Sequence, residues 1–357
     1  MSFSERKEKF LELEKMRHSR VIALCHSDRI SDTPIHGINT GLAQDHLPVF
    51  HELLRKFGGA RQIDVWLYTR GGDMNVPWPL VNAIHSRAER MEVLVPFRAH
   101  SAGTLIALGA DEIVMSPSAE LSPVDPTTAN QFCPRDPNNP QSVLGISVEE
   151  VTAFVEMAKE SIGIEGSSNL VSILQTLTKD ISPIALGNVH RTYIQIREVS
   201  KKLLGLHIDI VKEETRVNDI IDKLTRKLYS HLHAINRGEA HNIGLDIRDA
   251  TNEEDVIMWS IYEDYASELQ LNSQFNIRGV LGTQLESELT LKGGFIETTD
   301  SSHVYLSKIK FTQASELPEK ILTGLIQGRQ AQPRTLIPGL PVRVDGAVIQ
   351  SGWVSAS

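Results

Sequence analysis

Three times within the first 110 residues an apolar run breaks at a turn and resumes as apolar residues at helical spacing. Arg20–Cys25 leads to Thr40–Phe57, Gln62–Tyr68 to Val76–Arg90, and the run from Val93 to Ala102–Ala110. Unbroken apolar runs of this kind suit strands covered on both faces, and their alternation with helices predicts an α/β fold with a mostly parallel sheet and crossover helices. Asp111–Ser116 adds a short strand. Ahead of these units, residues 4–17 set Phe10, Leu11, Leu13 and Met16 among charges, a helix able to dock on its own domain or on a neighbouring subunit. His26–Asn39 reads as loop, and Gly58 and Gly59 close the helix before them.

Residues 119–126 are rich in turn formers, and the prolines and asparagines of 127–145 predict an irregular loop. Helical spacing returns at Ser147–Ser161, Asn169–Leu177 and Ile184–Leu204, then as a helical pair over 219–250. After about residue 270 the pattern alternates instead, so Lys292–Thr299 and His303–Thr312 predict strands, with a further strand at Val342–Ile349 and an irregular tail from Ala331. The organisation that follows is an N-terminal helix at 1–19, a main domain at 20–268 and a β-containing C-terminal region at 269–357.

Two turns carry the candidate chemistry. Ser101, in Ala99-His-Ser-Ala-Gly103, stands where a strand hands over to a helix, and a helix start offers unpaired amides and positive potential to the charge that builds up in acyl transfer. A serine capping a core helix is the plainer reading of that turn. The other turn is Thr69-Arg-Gly-Gly-Asp73, where Gly71 and Gly72 leave bare backbone at a strand end, suited to an extended peptide or an oxyanion.

Composition narrows the field. A net charge of -9 argues against general nucleic-acid binding, which needs a concentrated basic surface. The 2 cysteines, Cys25 and Cys133, are too few for a disulfide framework and form no metal-ligand pair, so a reducing cytoplasm is the expected setting. The N-terminus is charged throughout, without the apolar core of a signal peptide, and no apolar run is long enough to span a bilayer. His231 and His233 stand two apart on a predicted helix and point to different sides, so no metal site is expected. No other cofactor is expected either. There is no Gly-x-x-x-x-Gly-Lys-Ser/Thr loop, so any ATP-driven unfolding of substrates would need a separate ATPase partner.

The pair of strand-turn-helix units, glycines in one and serine in the next, resembles the Clp protease and crotonase superfamily. Within it the chain is similar to signal peptide peptidase A-like serine peptidases, and it is identified as a member of the serine dehydrogenase proteinase family. The resemblance is most specific over residues 60–126 and traceable to about residue 250. It implies a Clp/crotonase-type peptidase domain at 20–268 and a homo-oligomer acting on peptides or unfolded proteins. By it Ser101 is the nucleophile, the amides of Gly72 and Ala102 form the oxyanion hole, and Gly71 supports them.

The same resemblance leaves the base open. Clp-type peptidases carry a histidine near the place of Leu121-Ser122-Pro123, and this chain does not. In signal peptide peptidase A relatives the catalytic lysine precedes a Ser/Pro segment and a long helix, a placement that Lys179 matches. Ser122 then either holds that lysine through its hydroxyl or merely makes a turn. His190, oriented by Asp125 or Asp180, is the alternative base. His100 is expected to line the site, Lys159 to sit on a solvated face, and Asp73 to cap the helix after the glycines. Two rival readings share the fold: a crotonase-like acyl-CoA enzyme whose two amides hold a thioester carbonyl, and a scaffold without catalysis.

Overall fold

The computed structural model describes residues 3–356 except 34, 36, 58, 125–126, 138, 228–232 and 317–335. The expectations for Gly58, Asp125, His231 and the first part of the tail therefore lie outside the described residues.

One sheet organises the chain. Its strands are β1 Arg20–His26, β2 Ala60–Tyr68, β3 Ala88–Val95, β4 Glu112–Met115, β5 Ile247–Asp249, β6 Glu286–Thr298, β7 Ser301–Ser315 and β8 Val342–Ser355. They lie in the order β5-β4-β3-β2-β1-β6-β7-β8. The first five run parallel, and β6 to β8 continue the sheet antiparallel from the free side of β1. The expected strand-turn-helix units around a mostly parallel sheet are thus present, and the C-terminal strands extend the same sheet.

The apolar runs alternate between two layers, as a pleat requires. Ile22, Leu24, Val65, Leu67, Val93 and Val95 face α2 (His46–Lys56), α3 (Pro77–His85) and α4 (Ala102–Leu108). Val21, Ala23, Cys25, Trp66, Tyr68 and Leu94 face the opposite layer. That layer is built by α1 (Phe3–Arg17) and the helix Asn252–Leu269, which contributes Met258, Ile261, Tyr262 and Tyr265. The helix Asn252–Leu269 has no counterpart in the pattern reading.

Helix α1 docks on its own domain. Arg6, Phe10, Leu13 and Arg17 recur at helical spacing and form its inner stripe, while Leu11 and Met16 stay exposed. An arginine at each end meets buried carboxylates: Arg6 pairs with Glu297 and Glu268, and Arg17 with Asp64, Glu92 and Glu254. Burial alone would press both guanidinium groups toward neutrality. The hydrogen-bonded carboxylates outweigh it and hold the pKa of each above its ordinary value.

Several boundaries differ from the pattern reading. The second helix starts at His46 rather than Thr40, because Leu42 pairs its backbone with Gly72 instead of joining the helix. The 127–145 loop contains short strands at Thr127–Thr128, Arg135–Asp136 and Asn139–Val143. Beyond it follow α5 (Val148–Glu156), α6 (Ser167–Asp180) and α7 (Pro183–Leu204), and the chain re-enters the sheet through Arg237–Ile243 and β5.

Candidate functional site

The two turns singled out by sequence meet at the carboxyl ends of β2 and β3. Thr69 N donates to Arg98 O at 2.9 Å, and His100 N donates to Thr69 O at 3.0 Å, so the glycine turn and the serine turn are laced backbone to backbone. Only glycine fits at 71: a Cβ there would stand 2.7 Å from Ser101 Cβ and 3.0 Å from His100 O. Its φ of +107° is also one that side chains resist. Gly72 is as tightly placed on its other side, where a Cβ would meet Leu42 O at 2.3 Å.

Ser101 itself is strained. Its φ of 52° and ψ of -114° lie outside the regions that a serine ordinarily adopts. The surroundings hold it there: the buried Ser122 Oγ accepts the Ser101 amide at 2.8 Å and donates to Pro123 O at 3.0 Å. Ser122 N in turn donates to Thr104 Oγ1 at 3.1 Å, and Thr104 Oγ1 lies 2.8 Å from Ala99 O. The Ser101 side chain is partly exposed and makes no hydrogen bond with any described residue. Neither the Gly72 amide nor the Ala102 amide donates to a described residue either. A partly exposed hydroxyl thus stands beside free amides, an arrangement that can attack a carbonyl and stabilise the oxygen that becomes negative.

A polar network flanks the serine. Tyr68 OH donates to Asp28 Oδ1 at 2.8 Å, Arg70 Nε pairs with Asp28 Oδ2 at 2.8 Å, and Arg98 Nε pairs with Glu120 Oε1 at 2.7 Å. His100 lies within it, Nδ1 3.4 Å from Arg70 Nη1 and Nε2 3.2 Å from Glu120 Oε1. Burial, helped by the two arginines and opposed by Glu120, pushes His100 down to about 4. With both ring nitrogens turned to these partners, His100 lines the turn.

Sequence reasoning missed a second chain of polar groups, on the far side of the glycines. Gly71 N donates to Thr69 Oγ1 at 3.0 Å, and Thr69 Oγ1 lies 2.9 Å from His26 Nδ1. Nε2 of His26 stands 2.7 Å from Nε2 of His46, whose Nδ1 reaches Asp45 Oδ1 at 3.0 Å. His26 is fully enclosed, and burial, then the neighbouring His46, hold its pKa well below the ordinary value. The signal in the sequence was a histidine closing an apolar strand, but its partners come from a segment with no periodicity.

The remaining candidates lie elsewhere. Lys179 is exposed near the end of α6. Gln195 of α7 donates to Asn75 Oδ1 at 2.7 Å, just past the glycines, whereas the N-cap Ser182 beside Lys179 is about 20 Å away along the helix axis. His190 is exposed on α7 with its ring against Tyr193. Asp73 does not cap α3, whose N-cap is Val76. Its carboxylate instead accepts from Asn75 N at 2.9 Å and from Gln44 Nε2 at 2.9 Å, closing a tight turn. No group of His, Cys, Asp and Glu among the described residues could hold a metal ion, and no described helix is long and apolar enough to cross a membrane.

The chain is similar to known proteins over parts of its length. An uncharacterized protein of Methanocaldococcus jannaschii is 25% identical over 258 residues, covering 71% of this chain and 76% of that protein. A second uncharacterized protein of the same organism is 32% identical over 121 residues, or 32% of this chain and 39% of its own length. Among solved structures, a membrane-bound stomatin-specific protease, 1510-N, bound to a substrate peptide aligns with 17% identity over 59% of this chain and 70% of that one, at a TM-score of 0.34. A monofunctional enoyl-CoA isomerase from M. smegmatis aligns with 14% identity over 71% of this chain and 87% of that one, at a TM-score of 0.28. Residues 1–135, which include both turns, match the family described as ClpP-like SDH-type serine proteinase.

Proposed function

We propose that the chain cleaves peptide bonds through an acyl-enzyme on Ser101. The observation that carries this reading is the strained Ser101, its side chain unpaired, beside the undonated amides of Gly72 and Ala102. Ser101 Oγ attacks the carbonyl carbon of the substrate while its proton passes to a base. The carbonyl oxygen takes up negative charge facing the two amides. The base then gives the proton to the leaving amine, and water releases the acyl group by the same route in reverse. An extended peptide is the natural substrate for bare backbone at a strand end, since it pairs through its own amides and carbonyls.

Lys179 is the proposed base, with His190 as the alternative. A lysine accepts a proton only as the neutral amine, which burial favours. In the single chain Lys179 is exposed, on a helix that also exposes Leu170, Val171 and Leu174. A homo-oligomer that lays α6 of one copy over the Ser101 turn of another brings a neighbouring copy's Lys179 to the serine, removes it from water and encloses the site, which restrains indiscriminate cleavage. Action on folded proteins calls for a separate ATPase, and the cytoplasm is the proposed setting.

A fluorophosphonate probe tests the reading directly. Mass spectrometry should find the adduct on Ser101, and Ser101→Ala should lose both labelling and peptide hydrolysis. A folded wild-type protein that takes up no probe and cleaves no peptide refutes it.

A further inference from the structure

A cavity of about 380 Å³ lies outside the chemistry described so far, yet Gly72 forms part of its wall. It is bounded by the 37–46 segment on one side and by β7 and β8 on the other. It sits beside β1, where the parallel part of the sheet gives way to the antiparallel strands β6 to β8.

Its lining is selective. Among the described residues that line it, Asp45 alone has a formal charge at neutral pH, and none is a lysine or arginine. The Asp45 side chain lies beside His46 and the indole of Trp353 and still keeps 45% exposure, so its carboxylate is open to a ligand in the cavity. Trp353 forms an aromatic wall, its ring 5.3 Å from that of Tyr305 and 4.9 Å from that of His46. A carboxylate beside aromatic faces favours a cation and repels an acidic group. The contacts from Asp45 through His46, His26 and Thr69 to the Gly71 amide tie this wall to the glycine turn.

We infer that this cavity is a substrate subsite that takes a lysine or arginine side chain flanking the bond attacked by Ser101, with its cation against Asp45 and the Tyr305–Trp353 wall. The assignment rests on the peptidase reading and adds to it the class of peptide selected.

The test is a peptide library digested by the full chain, with cleavage positions read by mass spectrometry and Ser101 labelling run in parallel. Lysine and arginine should be enriched at one fixed position relative to the cut. For a peptide pair differing there by lysine against norleucine, the kcat/KM ratio should fall about tenfold in Asp45→Asn and be largely restored in Asp45→Glu. Asp45→Lys should favour a glutamate peptide over the lysine one. Trp353→Leu, which keeps the carboxylate, should lower the same ratio and covers the case in which the Asp45 variants do not fold. If wild-type protein labels and cleaves without basic enrichment, or if Asp45→Asn leaves the ratio unchanged, the subsite is refuted while the peptidase reading stands. If wild-type protein neither labels nor cleaves, both are refuted.

Discussion

The Ser122 hydroxyl accepts the backbone amide of Ser101 at 2.8 Å and donates to Pro123 O at 3.0 Å, so it supports the conformation of the serine. Ser122→Ala leaves that amide without an acceptor in a largely buried turn, which costs about 1–3 kcal/mol. The expected result is a stability loss of that size by urea denaturation, together with slower probe labelling of Ser101. Unchanged labelling in a folded Ser122→Ala protein would show that the turn holds itself.

Gly71 and Gly59 separate strain from steric conflict. Both adopt positive φ, +107° and +100°, but a Cβ on Gly59 meets nothing within 4 Å whereas one on Gly71 meets the Ser101 turn. Gly59→Ala should therefore cost only the backbone penalty, about 1 kcal/mol, and label normally. Gly71→Ala must displace Ser101, and a shift of that order costs roughly 100-fold in rate. Denaturation and labelling measured side by side on the two variants decide it.

Two histidines make stability depend on pH. Burial, then the neighbouring His46, holds His26 well below its ordinary value, and burial takes His100 down to about 4. Both regain an ordinary value near 6.5 on unfolding, so below that pH the unfolded chain binds protons that the folded chain refuses. Their contribution is complete above about pH 6.5 and is lost as pH falls toward the folded values, by up to about 1.4 kcal/mol per pH unit for each group. Urea midpoints taken from about pH 7.5 down to about pH 5 should fall accordingly, and less steeply in His26→Gln and His100→Gln. A flat profile in the wild type would contradict the neutral state assigned to both rings.

These effects involve groups that differ in how far sequence reveals them. The parallel strands were legible because burial on both faces leaves an unbroken apolar run, as in β1, where only Arg20 is not buried. The Ser101 and Gly71-Gly72 turns were legible because small residues at strand ends leave few alternatives. Leu42 was not, since its helical spacing was overruled by a backbone partner at Gly72 that exists only in the folded chain. The same holds for Asp45, His46 and Trp353, which are brought together from distant segments by the switch in sheet direction at β1. The placement of Asp73 failed for a local reason: its carboxylate bonds two residues on, to Asn75, before the helix begins.

Lys179 and the exposed face of α6 are tested together. As the proposed base, Lys179 should be needed for turnover, and Lys179→Ala should lower kcat by about 10²–10⁴-fold. Lys179→Arg should not rescue it, because a guanidinium does not give up its proton. Leu174, 55% exposed on the same helix, is predicted to be covered when copies of the chain associate. Leu174→Asp should then weaken association and lower turnover while leaving the monomer folded, and wild-type specific activity should rise with protein concentration. Sedimentation velocity paired with peptide hydrolysis over a dilution series reads both quantities. Full turnover by Lys179→Ala would remove the dyad. An activity independent of dilution in a monomeric wild type would separate Lys179 from any need for a partner copy.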